Sequence, residues 1–345
     1  MSRDKDFSWL KVVGVNETRL LDPGRMSQLA TKLRAPANQC PLLVLFLGLR
    51  AKDAALEELF PHIESGSETC ADLATLQVDK ESAGSEYPIY LAQSSPGQNL
   101  SRATDDTRCF GTESFSLQWM DTATRTNLYN FVHARILCLF IDVLFVFADD
   151  LASFEEAVQL LASWAAIGDN GPIYFKKARP RVVIVTSHAE HGPSSTLDIL
   201  DIEDIQQGLH NKSLRDFFST IKVLYLIVEQ KSPMARFRRL KGLLRRELDE
   251  MLVVRRDLGC LYSAVHLGSF FRLAVGHIVA TPNQPFDFVL ASRRDNKVQA
   301  DLEQHLSRFL QLGLKNNAVQ ESLVIMIAST IILDAYPPKM HGKLI

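Results

Sequence analysis

The sequence predicts an α/β protein in which a mostly parallel sheet lies between two layers of helices, followed by a carboxy-terminal helical region. Four segments of strand length are apolar almost throughout, which is typical of strands buried on both faces of a parallel sheet. Segments with helical periodicity separate them, and this alternation predicts a three-layer domain over residues 37–229. The four strands are predicted to start at Pro41, Ile141, Pro180 and Ile221.

The other elements of this domain have weaker signals. Shorter apolar runs predict a fifth strand from Tyr87 and a sixth from Leu73. Residues 1–36 are assigned to an amino-terminal extension. Helices are predicted at residues 53–60, 124–140, 153–166 and 197–218.

After residue 229 the pattern becomes helical, so residues 230–345 are predicted to form either a small second domain or a cap on the sheet. Ser232 is suited to cap the first helix, with Pro233 at its first position. Along this helix, apolar residues recur at steps of three and four, which predicts one buried stripe. The stripe consists of Phe237, Leu240, Leu244, Leu248 and Met251. Further helices are predicted at residues 261–280, 298–312 and 318–334.

Composition and charge narrow the class of protein. The 345 residues are 46% apolar and 23% charged with a formal net charge of −2, so a large core is expected and a nucleic-acid partner is not. Five widely spaced cysteines without a CxxC pair predict reduced, mostly buried thiols. The amino terminus begins with charged residues and has no apolar h-region, so no secretory signal is expected. The apolar runs at 136–148 and 322–333 are shorter than the ~20 residues of a membrane span. A cytoplasmic protein that does not cross a membrane is therefore expected.

The strand from Pro41 ends in Gly48 and a helix follows, which is the arrangement of a phosphate-binding loop. In the pattern G-x-x-x-x-G-K-[ST], backbone N–H groups, a lysine and a hydroxyl hold the phosphates and magnesium. Aligned on Gly48, the pattern meets Asp53 at the second glycine and alanines at the lysine and the hydroxyl. Arg50 and Lys52 could supply charge from shifted positions. The domain is thus P-loop-like but degenerate, with Gly48, Arg50 and Lys52 as candidate nucleotide-binding residues and a structural turn as the alternative.

The strand from Ile141 ends in Asp149 and Asp150, which are the candidate magnesium ligands if a nucleotide binds. The alternative is that Asp150 interacts with the dipole of a nearby helix start. Residues 186–189, after the strand from Pro180, lack the carboxylate that selects guanine. The sequence therefore predicts no cofactor, with a magnesium nucleotide as the alternative.

No catalytic signature is present in the sequence. The cluster His188-Ala189-Glu190-His191 does not match the HExxH zinc motif and is predicted to be a polar loop. No G-x-S-x-G occurs, so no nucleophile elbow for acyl transfer is expected. No catalytic residue is therefore assigned.

The helix from Pro233 also carries basic residues that suit an anionic membrane surface or an acidic protein partner. Glu247, Asp249 and Glu250 interrupt this charge. The alternative is a helix docked on its own domain with a solvated basic face. The candidate contact residues are Arg236, Arg238, Arg239, Lys241, Arg245 and Arg246.

Three stretches together resemble the amino-terminal region of large fungal patatin-like phospholipase proteins. They are "LFVFADDLASFEEAVQLLASWA", "RPRVVIVTS" and the segment that opens with "ARFRRLKGLLRRELDEMLVVRRDLGCLYSAVHLGSFF", and the similarity covers residues 42–342. The resemblance implies a fold like that of P-loop GTPases, placed before a patatin domain that hydrolyses acyl lipids with a Ser-Asp dyad. Neither element of that dyad occurs in this sequence, which is then expected to be a truncated product, a fragment or a form that kept only the regulatory part.

These observations together predict a non-catalytic regulatory or interaction module with a degenerate P-loop-like domain. The competing prediction is a divergent nucleotide-binding protein or hydrolase that uses Gly48, Lys52 and Asp149. Nucleotide titration distinguishes the two.

Overall fold

A computed structural model describes the fold over residues 7–13, 18–63, 72–96, 112–117, 125–168, 176–187, 199–201, 212–226, 232–293 and 301–335. Within these ranges the chain forms ten strands, all in one sheet, and ten α-helices. The predicted α/β class is confirmed.

The sheet contains every strand that the sequence predicts, and four more. In chain order the strands are β1 Ser8–Val13, β2 Arg19–Asp22, β3 Leu42–Leu47, β4 Asp72–Val78, β5 Ile89–Ser94, β6 Glu113–Ser116, β7 Val143–Phe147, β8 Arg181–Thr186, β9 Ile199–Asp201 and β10 Thr220–Tyr225. Across the sheet their order is β6-β2-β1-β4-β5-β3-β7-β8-β10-β9. The six predicted strands are β3, β4, β5, β7, β8 and β10.

The sheet is mixed rather than mostly parallel. Strands β5, β3, β7, β8 and β10 form a parallel centre through four pairings. The other five pairings are antiparallel. The prediction of a mostly parallel sheet is therefore wrong for the sheet as a whole. It failed partly because β2 and β6 have four residues each and β9 has three, too few to give a clear apolar pattern. It failed also because the predicted strand β4 pairs antiparallel with β5 and β1, and strand direction is not encoded in a local pattern.

Eight of the ten helices lie at predicted positions, one of them with a wrong start, and α1 and α8 were not predicted. They are α1 Arg25–Thr31, α2 Arg50–Leu59, α3 Arg125–Arg135, α4 Phe154–Gly168, α5 Lys212–Phe217, α6 Pro233–Asp257, α7 Ala264–Ala280, α8 Phe288–Arg293, α9 Leu302–Lys315 and α10 Gln320–Ala335. Ser232 Oγ accepts a hydrogen bond from the backbone N–H of Ala235 at 3.3 Å, which confirms the predicted cap of α6. The helix predicted over 197–218 is wrong at its start, because Ile199 pairs with Leu224 in the sheet.

The amino-terminal segment belongs to the sheet. Every residue of β1 is buried, and the Trp9 ring stacks on Phe271 of α7 with 5.1 Å between the ring centres. β1 pairs with β4 and with β2, and α1 follows directly. The boundary predicted at residue 37 therefore does not separate residues 8–31 from the sheet.

Alternate residues of β3 face two separate cores, one on each side of the sheet. Leu43 and Leu45 lie in the larger core, together with α1, α3, α4 and α7. Val44 and Phe46 lie in the smaller core, together with α2 and α6. Helices α6 and α7 of the carboxy-terminal region thus pack on opposite faces of the sheet.

Helices α9 and α10 are packed far less. In α9 no residue is buried, and in α10 only Leu323 is buried among residues 320–331. Each helix within the described ranges is either too short or too polar to span a bilayer.

Candidate functional site

The parallel centre of the sheet brings two predicted loops together. β3 and β7 are parallel neighbours, so Gly48 after β3 and the acidic pair after β7 lie at the same end of the sheet. From this pair, the chain places β5 on one side and β8 and β10 on the other. Such a reversal of strand order opens a crevice that is the usual ligand position in α/β sheets. We call this place the β3–β7 crevice, with Gly48, Arg50, Lys52, Asp149 and Asp150 as its residues.

The Asp150 carboxylate occupies the start of α2. Its Oδ2 accepts hydrogen bonds from the backbone N–H of Leu49 at 2.6 Å and of Lys52 at 3.0 Å, and its Oδ1 accepts one from Ala51 at 2.8 Å. The first N–H groups of a helix have no partner within the helix and form the positive end of its dipole. Phosphate binds at this position in phosphate-binding loops. In this chain an internal carboxylate fills it.

Gly48 makes room for that carboxylate. A Cβ atom at position 48 would lie 2.6 Å from Asp150 Oδ2, 2.9 Å from Phe147 Cβ and 3.0 Å from Lys52 Cβ. The Gly48 N–H donates to the Ser94 carbonyl at 3.1 Å, which fixes the loop to the end of β5. The predicted glycine is thus explained by the close approach of Asp150, without a ligand.

The two basic candidates of the crevice have different environments. Arg50 is exposed. Lys52 is 2% exposed, and its Nζ lies 3.4 Å from Asp53 Oδ1. Asp53, which stands at the position of the second motif glycine, therefore takes the ammonium that could otherwise face a phosphate.

Asp149 connects the ends of two neighbouring strands. Its Oδ1 accepts a hydrogen bond from Thr186 Oγ1 at 2.8 Å, and its Oδ2 accepts one from the Ser187 N–H at 2.9 Å. Both candidate magnesium ligands, Asp149 and Asp150, thus accept hydrogen bonds from the protein itself.

Other metal or thiol sites are not evident in the part of the chain that the structure describes. No group of three or more His, Cys, Asp or Glu side chains is arranged there to hold a metal ion. The predicted polar loop with His188, Glu190 and His191 lies outside the described residues. The described cysteines are buried, as predicted, and are Cys40, Cys138 and Cys260.

The basic helix α6 docks on the sheet through its apolar stripe. Phe237, Leu240, Leu244 and Leu248 are each at most 3% exposed, which confirms the predicted packing. The Arg236 guanidinium lies over the Phe237 ring at 4.6 Å from its centre. The remaining candidates differ in exposure: Arg238, Arg239, Arg245 and Arg246 are exposed, and Lys241 is half-buried.

A buried ion-pair network that the sequence pattern does not predict holds α6 in place. Glu247 is fully buried, and its carboxylate binds Arg181 of β8 at 2.6 Å and Lys222 of β10 at 2.7 Å. Burial opposes ionisation of Glu247, but the hydrogen bonds from Lys222 and Arg181 outweigh burial and lower the pKa of this carboxyl. A second buried pair joins Arg255 of α6 to Asp142, which precedes β7.

A serine and a histidine also meet inside the larger core. Ser94 Oγ lies 2.9 Å from His133 Nε2 and 3.0 Å from the Tyr129 hydroxyl, and His133 Nδ1 lies 2.8 Å from the Tyr129 carbonyl oxygen. The Trp164 ring stacks on the imidazole at 4.9 Å. Burial lowers the pKa of His133 to about 4, against the hydrogen bond to Tyr129. Ser94 is 1% and His133 0% exposed, so this pair supports the fold below the crevice and does not face a substrate.

Comparison with known proteins assigns no family to the chain. No family model matches it, and no curated protein matches its sequence. The resemblance to the fungal patatin-like proteins therefore stays a prediction, and function has to be inferred from the geometry of the crevice and the surface.

Proposed function

We propose that the chain is a non-catalytic interaction or regulatory module built on a degenerate P-loop-like domain. In this proposal it corresponds to the amino-terminal region of fungal patatin-like phospholipases and works in the cytoplasm without a cofactor. One observation carries the proposal: the Asp150 carboxylate accepts three backbone N–H groups at the start of α2. The position that holds phosphate in related loops is thereby already filled by an anion.

A nucleotide would have to displace Asp150 before its phosphates could reach these N–H groups. Each hydrogen bond to a charged acceptor contributes about 1.5–3 kcal/mol, so the displacement is costly. The displaced carboxylate would remain close to the phosphates and repel them. The ammonium group of Lys52 is paired with Asp53, so it offers little attraction to the phosphates that would offset this repulsion.

The exposed basic residues of α6 are the proposed contact surface. Arg238 and Arg245 are two helical turns apart, as are Arg239 and Arg246, and all four are exposed. Amphipathic helices bind membranes by inserting an apolar face. Because the apolar stripe of α6 is buried in the protein, an acidic protein surface is favoured over an anionic membrane as the partner.

The second candidate function is nucleotide binding with magnesium through Gly48, Arg50, Lys52 and Asp149. The place of these residues at the reversal of strand order favours it. It requires that Asp150 and Asp149 leave their present partners.

Isothermal titration calorimetry with ATP and with GTP, each with magnesium, separates the two functions. The expected result for the wild-type chain is no saturable heat. Micromolar binding that is lost in Lys52→Ala, and kept in the control Lys241→Ala on α6, would contradict the non-catalytic proposal and establish nucleotide binding.

A further inference from the structure

Helix α10 exposes apolar side chains on nearly every side. Residues 322–333 contain no charged residue. Val324, Ile325 and Met326 are 53%, 65% and 55% exposed, although they are consecutive and therefore point in three directions. Helices that are apolar all round are buried in folded proteins.

Helix α9 and the turn after it extend this surface. Gly313 lets the two helices approach, because a Cβ there would lie 2.6 Å from the methyl groups of Leu323, the buried residue of α10. This contact holds the pair together as a helical hairpin, which we call the α9–α10 hairpin, and leaves its outer surface uncovered. The additional exposed apolar residues are Phe309, Leu312, Leu314, Val319 and Ile331.

The exposed area is large enough for a stable interface. Summed over these eight residues, each 38–65% exposed, it is on the order of 700 Å², comparable with the ~300–600 Å² of the largest patch on a typical monomer. It is close to the ~800 Å² that each partner buries in a standard protein interface. The surface therefore needs a cover of about its own size.

We propose that the α9–α10 hairpin binds the same hairpin of a second copy, so that the chain forms a two-fold symmetric dimer through a four-helix arrangement. Two helical hairpins of this kind bury their apolar faces against each other in four-helix bundles. α9 and α10 have 14 and 16 residues, so the two helices offer faces of similar length. A two-fold axis makes the interface self-complementary, and an apolar, uncharged face such as that of α10 meets an identical one.

The charges of α9 match this arrangement. Glu303 is exposed in the first turn and Lys315 is exposed in the last turn. When two copies of α9 run antiparallel across a two-fold axis, Glu303 of each copy approaches Lys315 of the other. The dipoles of the two helices are then antiparallel, which is favourable. Residues 322–333 of α10 carry no charge and offer nothing comparable to an acidic or basic partner. The dimer is independent of the β3–β7 crevice and of the surface on α6.

Sedimentation equilibrium of the full chain over low to high micromolar concentrations tests the proposal. The wild type is expected to be a dimer, and Ile325→Lys is expected to weaken dimerisation at least about tenfold by placing a charge in the apolar contact. Val265→Lys is the matched control, because Val265 is an apolar residue of α7 that is 47% exposed outside the hairpin, and this variant is expected to dimerise like the wild type. Circular dichroism melting of each variant checks that the fold is retained.

A charge swap makes the test specific for the symmetric arrangement. Glu303→Lys and Lys315→Glu are each expected to weaken the dimer several-fold, and the double variant is expected to restore it. A chain that is monomeric at all concentrations, or a dimer that Ile325→Lys leaves intact, would overturn the proposal. Flotation of monomeric chain with neutral phosphatidylcholine vesicles, abolished by Ile325→Lys, would also overturn it and assign the surface to a membrane.

Discussion

Asp150 Oδ2 lies 2.6 Å from the backbone nitrogen of Leu49, across 101 residues of sequence. This contact ties the end of β7 to the start of α2 and places a carboxylate where a phosphate-binding loop holds its ligand. The protein's own carboxylate therefore occupies the position at which a phosphate would bind.

Removal of the Asp150 carboxylate is expected to destabilise the fold. Asp150→Ala leaves the N–H groups of Leu49, Ala51 and Lys52 without their acceptor, and the loss of such a cap costs about 2 kcal/mol. Asp150→Asn keeps one acceptor oxygen and is expected to lose less. Urea denaturation monitored by circular dichroism measures the difference, with Glu57→Ala, an exposed carboxylate on the same helix α2, as the control. A loss for Asp150→Ala no larger than that for Glu57→Ala would contradict the capping role.

A substitution at Gly48 tests the close approach of Gly48 and Asp150 by changing the other residue of the pair. Gly48→Ala places a Cβ 2.6 Å from Asp150 Oδ2, and overpacking of this kind costs about 1–3 kcal/mol. In the double variant Gly48→Ala/Asp150→Ala this clash is absent, so the two losses are expected to be less than additive. Additive losses in a denaturation cycle would show that Gly48 is needed for another reason.

The docking of α6 depends on Leu244, which is 3% exposed. Leu244→Asp buries a charge without a partner and is expected to destabilise the fold by about 3 kcal/mol or more. The exposed neighbour offers a matched control, since Arg245→Asp introduces the same side chain at the next position and should change the stability by less than about 1 kcal/mol. Equal melting temperatures for both variants would mean that the stripe is not packed in solution.

The free energy of unfolding is expected to decrease at low pH, partly because of His133. Its pKa is lowered from 6.5 to about 4 in the fold, so between these values the unfolded chain binds a proton that the folded chain does not, and stability declines as the pH falls. The slope is up to ~1.4 kcal/mol per pH unit, and His133→Gln should reduce it.

Asp22 has the opposite effect on the pH dependence of stability. Burial raises its pKa from 3.8 to about 6, so the folded chain binds a proton in this range that the unfolded chain does not, and Asp22→Asn should make the loss of stability at low pH steeper. Urea denaturation at several pH values measures both slopes, and a slope that His133→Gln leaves unchanged would contradict the assignment.

Much of the sheet is predictable because local composition determines it. Strands β3, β7 and β8 are buried at every position, and their continuous apolar runs give the signal. β6 has the sequence ESFS with no buried residue, and it forms only because its backbone pairs with that of β2. β9 is a strand of three residues whose pairing with β10 overrides the helical period.

The sequence predicts which residues form the crevice but not the contacts between them. Both Gly48 and Asp150 are identified by their positions after apolar strands, but the contact between them depends on β7 lying beside β3, which no local pattern encodes. The Glu247 network had a weak local signal, since Glu247 follows Leu240 and Leu244 at helical spacing on the buried side of α6. Its partners Arg181 and Lys222 lie on two other elements and could not be assigned to it from spacing.

The most direct test of the closed anion position is the backbone amide signals of Leu49, Ala51 and Lys52 in ¹H–¹⁵N spectra during titration with magnesium ATP. The three signals are expected not to move in the wild-type chain, because the Asp150 carboxylate already binds these N–H groups. In Asp150→Asn, where the negative charge is removed, the same signals should shift on addition of ATP. Saturable shifts of all three signals in the wild type would show that phosphate displaces Asp150 and would contradict the account.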